Sequence, residues 1–153
     1  MKIQLLCVGK LRDARLAGLC GEYAGRISRY GALEILEVKP ARARSQTAAV
    51  AEESERLLAA LRPGDCVWIL DARGKLPDSP GLAARLSALE QRAVKRLVIV
   101  LGGAYGVSET MRARGECLSL SPLTFPHELC RAILLEQLYR ARTIQRGEPY
   151  HHG

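Results

Sequence analysis

The residues best equipped for chemistry are gathered at one end of the chain. All three histidines, His127, His151 and His152, fall within SLSPLTFPHELCRAILLEQLYRARTIQRGEPYHHG, from Ser119 to Gly153. The same stretch places Glu136 four residues ahead of Arg140, and sets Arg131 and Arg142 on the stripe that begins at His127. A carboxylate and a guanidinium at that helical spacing form an ion pair worth roughly 0.2–0.5 kcal/mol. The pairing also orients an arginine fork for an anion. His127, following Pro126, reads either as a structural hydrogen-bonding group or as a catalytic one. Chain ends usually fray. A terminus written Pro149-Tyr150-His151-His152 beside these arginines reads instead as a docked segment that belongs to a site.

A helix over residues 127–145 must present these groups. Thr124 is a candidate cap, and Pro126 suits a first turn, where no intrahelical donor is lost. Leu129, Ile133, Leu134, Leu135, Leu138, Tyr139 and Ile144 surround nearly its whole circumference. A helix apolar all round is buried on more than one side. A sheet is expected against one side and a second subunit against the other, giving a homodimer through this helix.

Upstream, apolar runs of strand length alternate with helix-period segments. Strands are expected at 3–8, 33–38, 66–70, 97–101 and 117–120. Helices are expected at 16–30, 47–61 and 80–92, with a short one starting near Ser108. At 153 residues the chain is one domain's worth. This alternation implies a single α/β domain over 1–153, with a mainly parallel sheet covered by helices on both faces. Three strand ends carry unusual loops: LDARGK from Leu70, LGGAYG from Leu101, and SLSPLTFP from Ser119. GGAYG lacks the dinucleotide GxGxxG spacing, no GxxxxGK[ST] phosphate loop exists, and a double glycine alone reads first as a turn. Together the three apolar and glycine-rich loops suit a cofactor that is mostly adenosine, held by uncharged backbone contacts.

Composition narrows the classes further. A formal charge of +7, with Lys39, Arg42 and Arg44 in one cluster and Arg92, Lys95 and Arg96 in another, favours a polyanionic partner, nucleic acid first. No run of apolar residues is long enough for a membrane span. The opening MKIQLLCVGK reads as a buried first strand. The five cysteines form no CxxC pair and stand at no zinc-finger spacing from a histidine. They read as small buried hydrophobes in a reducing cytosol, with no metal site.

LDARGK, GGAYG and the closing stretch from Ser119 resemble the RlmH-type ribosomal RNA methyltransferases of the SPOUT superfamily. The resemblance spans the chain and is most specific in its last third. At His152 the chain departs from the family, which usually places Arg or Lys there. The resemblance implies a C-terminal trefoil knot over about 66–153, S-adenosyl-L-methionine (SAM) as cofactor, and methylation of N3 of a pseudouridine in 23S ribosomal RNA, on the assembled ribosome in the cytoplasm. It implies SAM contacts at Leu70, Gly102, Gly103 and Gly106, and along Leu120, Ser121, Pro122, Leu123, Thr124, Phe125 and Pro126. Arg140, Tyr150 and His151 would orient and polarise the base, with Glu136 holding Arg140. His127, Arg131, Arg142 and His152 would lie toward the RNA, and the tail of one subunit would complete its partner's site. Two rival readings remain at this point: a nucleotide-binding oxidoreductase using the GGAYG loop, and a non-catalytic ribosome-associated RNA-binding protein.

Overall fold

A computed structural model describes all 153 residues. In chain order the elements are β1 (Lys2–Val8), α1 (Ala14–Ile27), β2 (Leu33–Val38), α2 (Gln46–Ala60), β3 (Cys66–Lys75), α3 (Ser79–Gln91), β4 (Arg96–Leu101), α4 (Glu109–Arg112), β5 (Glu116–Leu118) and α5 (His127–Gln145). The five strands form one sheet in the order β2-β1-β4-β3-β5, and every pairing is parallel. The LVIVL run lies at its centre, and all of β4 is buried. Period-two alternation divides the core. Ile3, Leu5, Cys7, Trp68 and Ile99 pack with residues of α1, α3 and α5, while Leu6, Val8, Ile69 and Val100 pack with Leu57 of α2 and Met111 of α4. Each fully buried Leu or Ile contributes about 1.5–3 kcal/mol of transfer free energy. Burial also pushes the Cys7 thiol up to about 12, which keeps it a hydrophobe.

Ser108 caps α4 as its position implies, accepting from Met111 N–H at 3.2 Å. Thr124 does not cap α5. Pro126 holds the cap position and makes no side-chain cap bond. The helix start is tied down differently: Glu128 Oε1 accepts the backbone N–H of Arg12 at 2.6 Å, anchoring α5 to the loop after β1. α5 lies between α1 and α3, with Leu134, Leu135, Leu138 and Ala141 buried. Much of its apolar circumference is therefore covered within one chain. The stripe left half-exposed is Leu129, Ile133, Glu136, Gln137 and Arg140.

The DARGK segment, expected as a turn, continues β3 as strand. Leu118 of β5 pairs with Leu70 and, across a shift in register, with Lys75, and Ser119 N–H donates to the Lys75 carbonyl at 2.7 Å. Residues 70–75 thus arch closely over β5. Gly74 makes the approach possible, because a Cβ there would lie 2.5 Å from the Cys117 carbonyl carbon.

Three arginines expected at the surface are buried and paired instead. Arg96 donates to Asp65 at 3.0 Å. Arg131 donates to Glu37 at 2.7 Å and to the Gly9 carbonyl at 2.9 Å. Arg142 donates to Glu90 at 2.6 Å and to Gln145 at 2.9 Å. A buried charge persists only when so satisfied. No helix is long and apolar enough to cross a membrane.

Two glycine substitutions separate packing from propensity. Gly74→Ala is expected to cost about 1–3 kcal/mol by forcing β5 from the arch. Gly21→Ala, within α1 and facing open space, is expected to add about 0.5–1 kcal/mol. Urea denaturation of both variants reads the two signs.

Candidate active site

The end of α5 determines where the tail goes. Gly147 takes φ +67°, the left-handed conformation glycine adopts without strain. Glu148 N–H then bonds the Thr143 carbonyl at 2.9 Å and Gly147 N–H the Ile144 carbonyl at 3.1 Å, the paired closure of a Schellman turn. Tyr30 OH donates to Glu148 at 2.5 Å and holds the turn from α1's side. The chain therefore doubles back along α5, toward residues one to three turns earlier.

Glu136 receives it. One carboxylate oxygen, Oε1, accepts from Arg140 Nη2 at 2.5 Å, from Arg140 Nε at 3.1 Å, and from Tyr150 OH at 3.1 Å. The other, Oε2, accepts from Gln137 Nε2 at 2.7 Å. The Arg140 guanidinium lies 4.8 Å from the Tyr150 ring centroid and offers Nη1 to His151 Nδ1 at 3.3 Å. Since a guanidinium only donates, Nδ1 accepts there, and the proton of a neutral His151 resides on Nε2. The Tyr150 ring packs edge-on against Tyr139 at 4.6 Å, and its hydroxyl lies 3.4 Å from that of Tyr23. Desolvation, the Tyr23 contact and the Glu136 charge together raise the Tyr150 phenol above its ordinary value, so the hydroxyl stays protonated and donates. All four residues expected to be catalytic, Glu136, Arg140, Tyr150 and His151, thus stand in one hydrogen-bonded cluster. Tyr23 completes it; it reads in sequence only as a member of α1's apolar stripe.

A cavity adjoins this cluster through Gln137, whose Oε1 accepts from Ser79 Oγ at 2.6 Å. About 330 Å³ in volume, it is lined by Trp68, Leu70, Leu82, Leu120 and Ile133 among others, with Asp78 and Ser79 as polar groups. A second cavity of about 170 Å³ shares Leu70, Ser119 and Leu120 with it and adds Ser121, Leu123, Thr124 and Phe125. Half-buried Leu120 and Phe125 donate their backbone N–H to nothing in the chain. Apolar walls with unpaired backbone donors suit an adenosine-type ligand, so the site fits the expected cofactor. Trp68, Asp78 and Ser79 had no signal of their own in the sequence, where the first is a strand residue and the other two open a helix.

The remaining expected site residues are dispersed. Gly102, Gly103 and Gly106 do not line these cavities. They close a tight turn in which Gly106 N–H meets the Gly103 carbonyl at 3.1 Å, a Cβ on Gly102 would lie 2.8 Å from Val107, and one on Gly103 would lie 2.6 Å from the Glu53 carboxylate. Pro122, Pro126, His127 and His152 are exposed. Arg131 and Arg142 are committed to Glu37 and Glu90 and do not face solvent.

The parallel sheet, the arch over β5 and this C-terminal cluster define a class. A family profile described as "Predicted SPOUT methyltransferase" matches residues 1–151, and the chain belongs to the SPOUT methyltransferases. It is 45% identical to a protein of Pelobacter propionicus named "Ribosomal RNA large subunit methyltransferase H", over 99% of this chain and 100% of that one. A protein of the same name from Gloeobacter violaceus is also 45% identical, over the whole of both chains. Among solved structures, a protein of Bordetella pertussis described as "Probable Methyltransferase" superposes with a TM-score of 0.56 at 19% identity, covering 92% of this chain and 95% of that one, which is a likeness of fold. These relatives do not support the oxidoreductase and non-catalytic readings.

The cluster makes a spectroscopic prediction. Glu136→Gln removes the negative charge beside the phenol, so Tyr150 is expected to ionise at a lower pH than in the wild type. Phenolate absorbance, with Tyr150→Phe as the baseline, measures the shift. An unchanged titration would place the phenol away from Glu136.

Proposed function

We propose that this chain transfers a methyl group from SAM to N3 of a pseudouridine in 23S ribosomal RNA, acting on the assembled ribosome. The observation that carries the reading is the contact, through Gln137, between an adenosine-compatible cavity and a cluster containing Arg140, Tyr150 and His151. The names of the full-length relatives supply the substrate class.

In this reading Leu70, Leu120, Ser121, Leu123, Thr124 and Phe125 hold the cofactor, and their apolar surfaces exclude water. When bound, SAM supplies a methyl group on a sulfonium centre. Displacement there is in line, so positioning accounts for much of the rate. The protein must also manage the accepting nitrogen, which gives up its proton to solvent water and spreads negative charge over two flanking carbonyl oxygens. Arg140 is placed to stabilise that charge, and Glu136 fixes its fork so that no reorganisation is needed at the moment of transfer. Tyr150, protonated, and His151, through its Nε2–H, add two donors. His127 and His152, both exposed, lie toward the RNA, whereas Arg131 and Arg142 serve the fold.

The same reading includes a homodimer through the half-exposed stripe of α5, supported by the apolar Ile133 at the cavity rim and by exposed Leu76 and Leu123 nearby in sequence to the cavity walls. It also includes the knot over 66–153, supported by the passage of β5 beneath residues 70–75. A ribosomal substrate implies a cytoplasmic location.

Arg140→Ala is expected to lower methyl transfer to ribosomes that lack the modification by about 10²–10³-fold, with SAM affinity by calorimetry unchanged. Removing residues 150–153 is expected to do the same. Full activity in the truncated protein, with SAM still bound, would show this assignment of the tail to be wrong.

A further inference from the structure

A second crevice stands apart from the cavity and cluster described above. In parallel sheets, ligands settle beyond the carboxyl ends of the strands, at the point where neighbouring connections depart in opposite directions. In the order β2-β1-β4-β3-β5 that point lies between β1 and β4. Two adjoining cavities of about 360 and 420 Å³ open there and share Gly9, Lys10, Arg12 and Pro40. Gly103 and Ala104, following β4, line the first, as does His127 at the start of α5; Lys39 lines the second. Neither shares a residue with the cofactor cavities.

Its basic side chains are the ones left free. The three acids along it are each hydrogen-bonded, two by backbone amides and one by a guanidinium: Glu53 Oε2 accepts Ala41 N–H at 2.9 Å, Glu128 Oε1 accepts Arg12 N–H at 2.6 Å, and Glu37 Oε2 accepts from Arg131 at 2.7 Å. The side chains of Lys10, Arg12, Lys39 and His127 are exposed and pair with no acid. Arg42 and Arg44, further along the same loop, are likewise exposed and unpaired. Elsewhere many cations are matched, as Lys2 is with Glu34, Arg26 with Glu22 and Lys75 with Glu116. The unpaired cations Lys10, Arg12 and Lys39, with Arg42 and Arg44 further along the loop, therefore share one groove that begins at His127, immediately after the cofactor loop, and runs out past β1 toward β2, whereas Arg29, Arg92, Lys95 and Arg114 stand unpaired on other parts of the surface.

We propose that this switch-point crevice binds the phosphodiester backbone of the substrate RNA, with Lys10, Arg12 and Lys39 as its phosphate contacts. The proposal rests on the RNA-methylating reading above and adds to it the surface that holds the strand. Phosphate contacts of this kind release counterions and steepen the salt dependence of binding, by about 0.7 in log K against log salt per contact for single strands.

The test is fluorescence anisotropy of the full chain with a labelled single-stranded oligoribonucleotide over a series of potassium chloride concentrations. Lys10→Gln, Arg12→Gln and Lys39→Gln combined are expected to make the salt slope shallower by about 2, with SAM affinity and Tm at wild-type values. A control set, Arg92→Gln, Lys95→Gln and Arg114→Gln, removes three exposed cations elsewhere and is expected to leave the slope unchanged. An unaltered slope in the first set, or an equal fall in the control, overturns the proposal. If the wild type binds SAM yet methylates no ribosome, the assigned reaction fails, while the salt slope still decides the crevice.

Discussion

One carboxylate organises the functional end of this molecule. Glu136 accepts hydrogen bonds from Arg140, Tyr150 and Gln137, and each donor leads to a different part of the site. Arg140 reaches His151, Tyr150 carries the tail, and Gln137 reaches the cavity through Ser79. Hydrogen bonds to a charged group are worth roughly 1.5–3 kcal/mol each. With so many donors on one group, ordering a terminal segment of a few residues becomes favourable despite its entropy cost.

That constraint works only because the fold delivers both sides of it. The sheet places β5 and the loop after it beside β3, and α5 returns along the sheet between α1 and α3. The Schellman turn at Gly147 then reverses the chain, and Tyr30 and Tyr23 of the α1 region hold the tail from the other side. Arg131 and Arg142 fix α5 to β2 and α3 through Glu37 and Glu90. Charges within one helix thus divide into two kinds. Those facing the core lock the helix in place, and those on the half-exposed stripe are left for chemistry.

Much of this is legible in the amino-acid order. The bounds of α5 follow from its apolar spacing, and the clustering of Tyr150 and His151 with Arg140 follows from an aromatic-histidine terminus too specific for a frayed end. The roles of Arg131 and Arg142 do not follow, because their partners lie far away in sequence and helical periodicity carries no information about them. DARGK reads as a turn by composition, yet it becomes strand because β5 supplies a partner for Lys75 that local propensity cannot foresee. Thr124 has the chemistry of a cap but not the position. The close approach of Val107 to Gly102 and of Glu53 to Gly103 is a packing demand that the run GGAYG does not reveal by itself.

The central claim is that Glu136 docks the tail to make the site, and amide hydrogen exchange of residues 146–153 tests it most directly. In the wild type the amides of Glu148 and Tyr150, bonded to the carbonyls of Thr143 and Glu148, should exchange slowly. In Glu136→Ala the Tyr150 amide should exchange at the rate of an open chain while the rest of α5 stays protected. Rapid exchange at Tyr150 in the wild type, or protection that survives the loss of Glu136, would contradict the account.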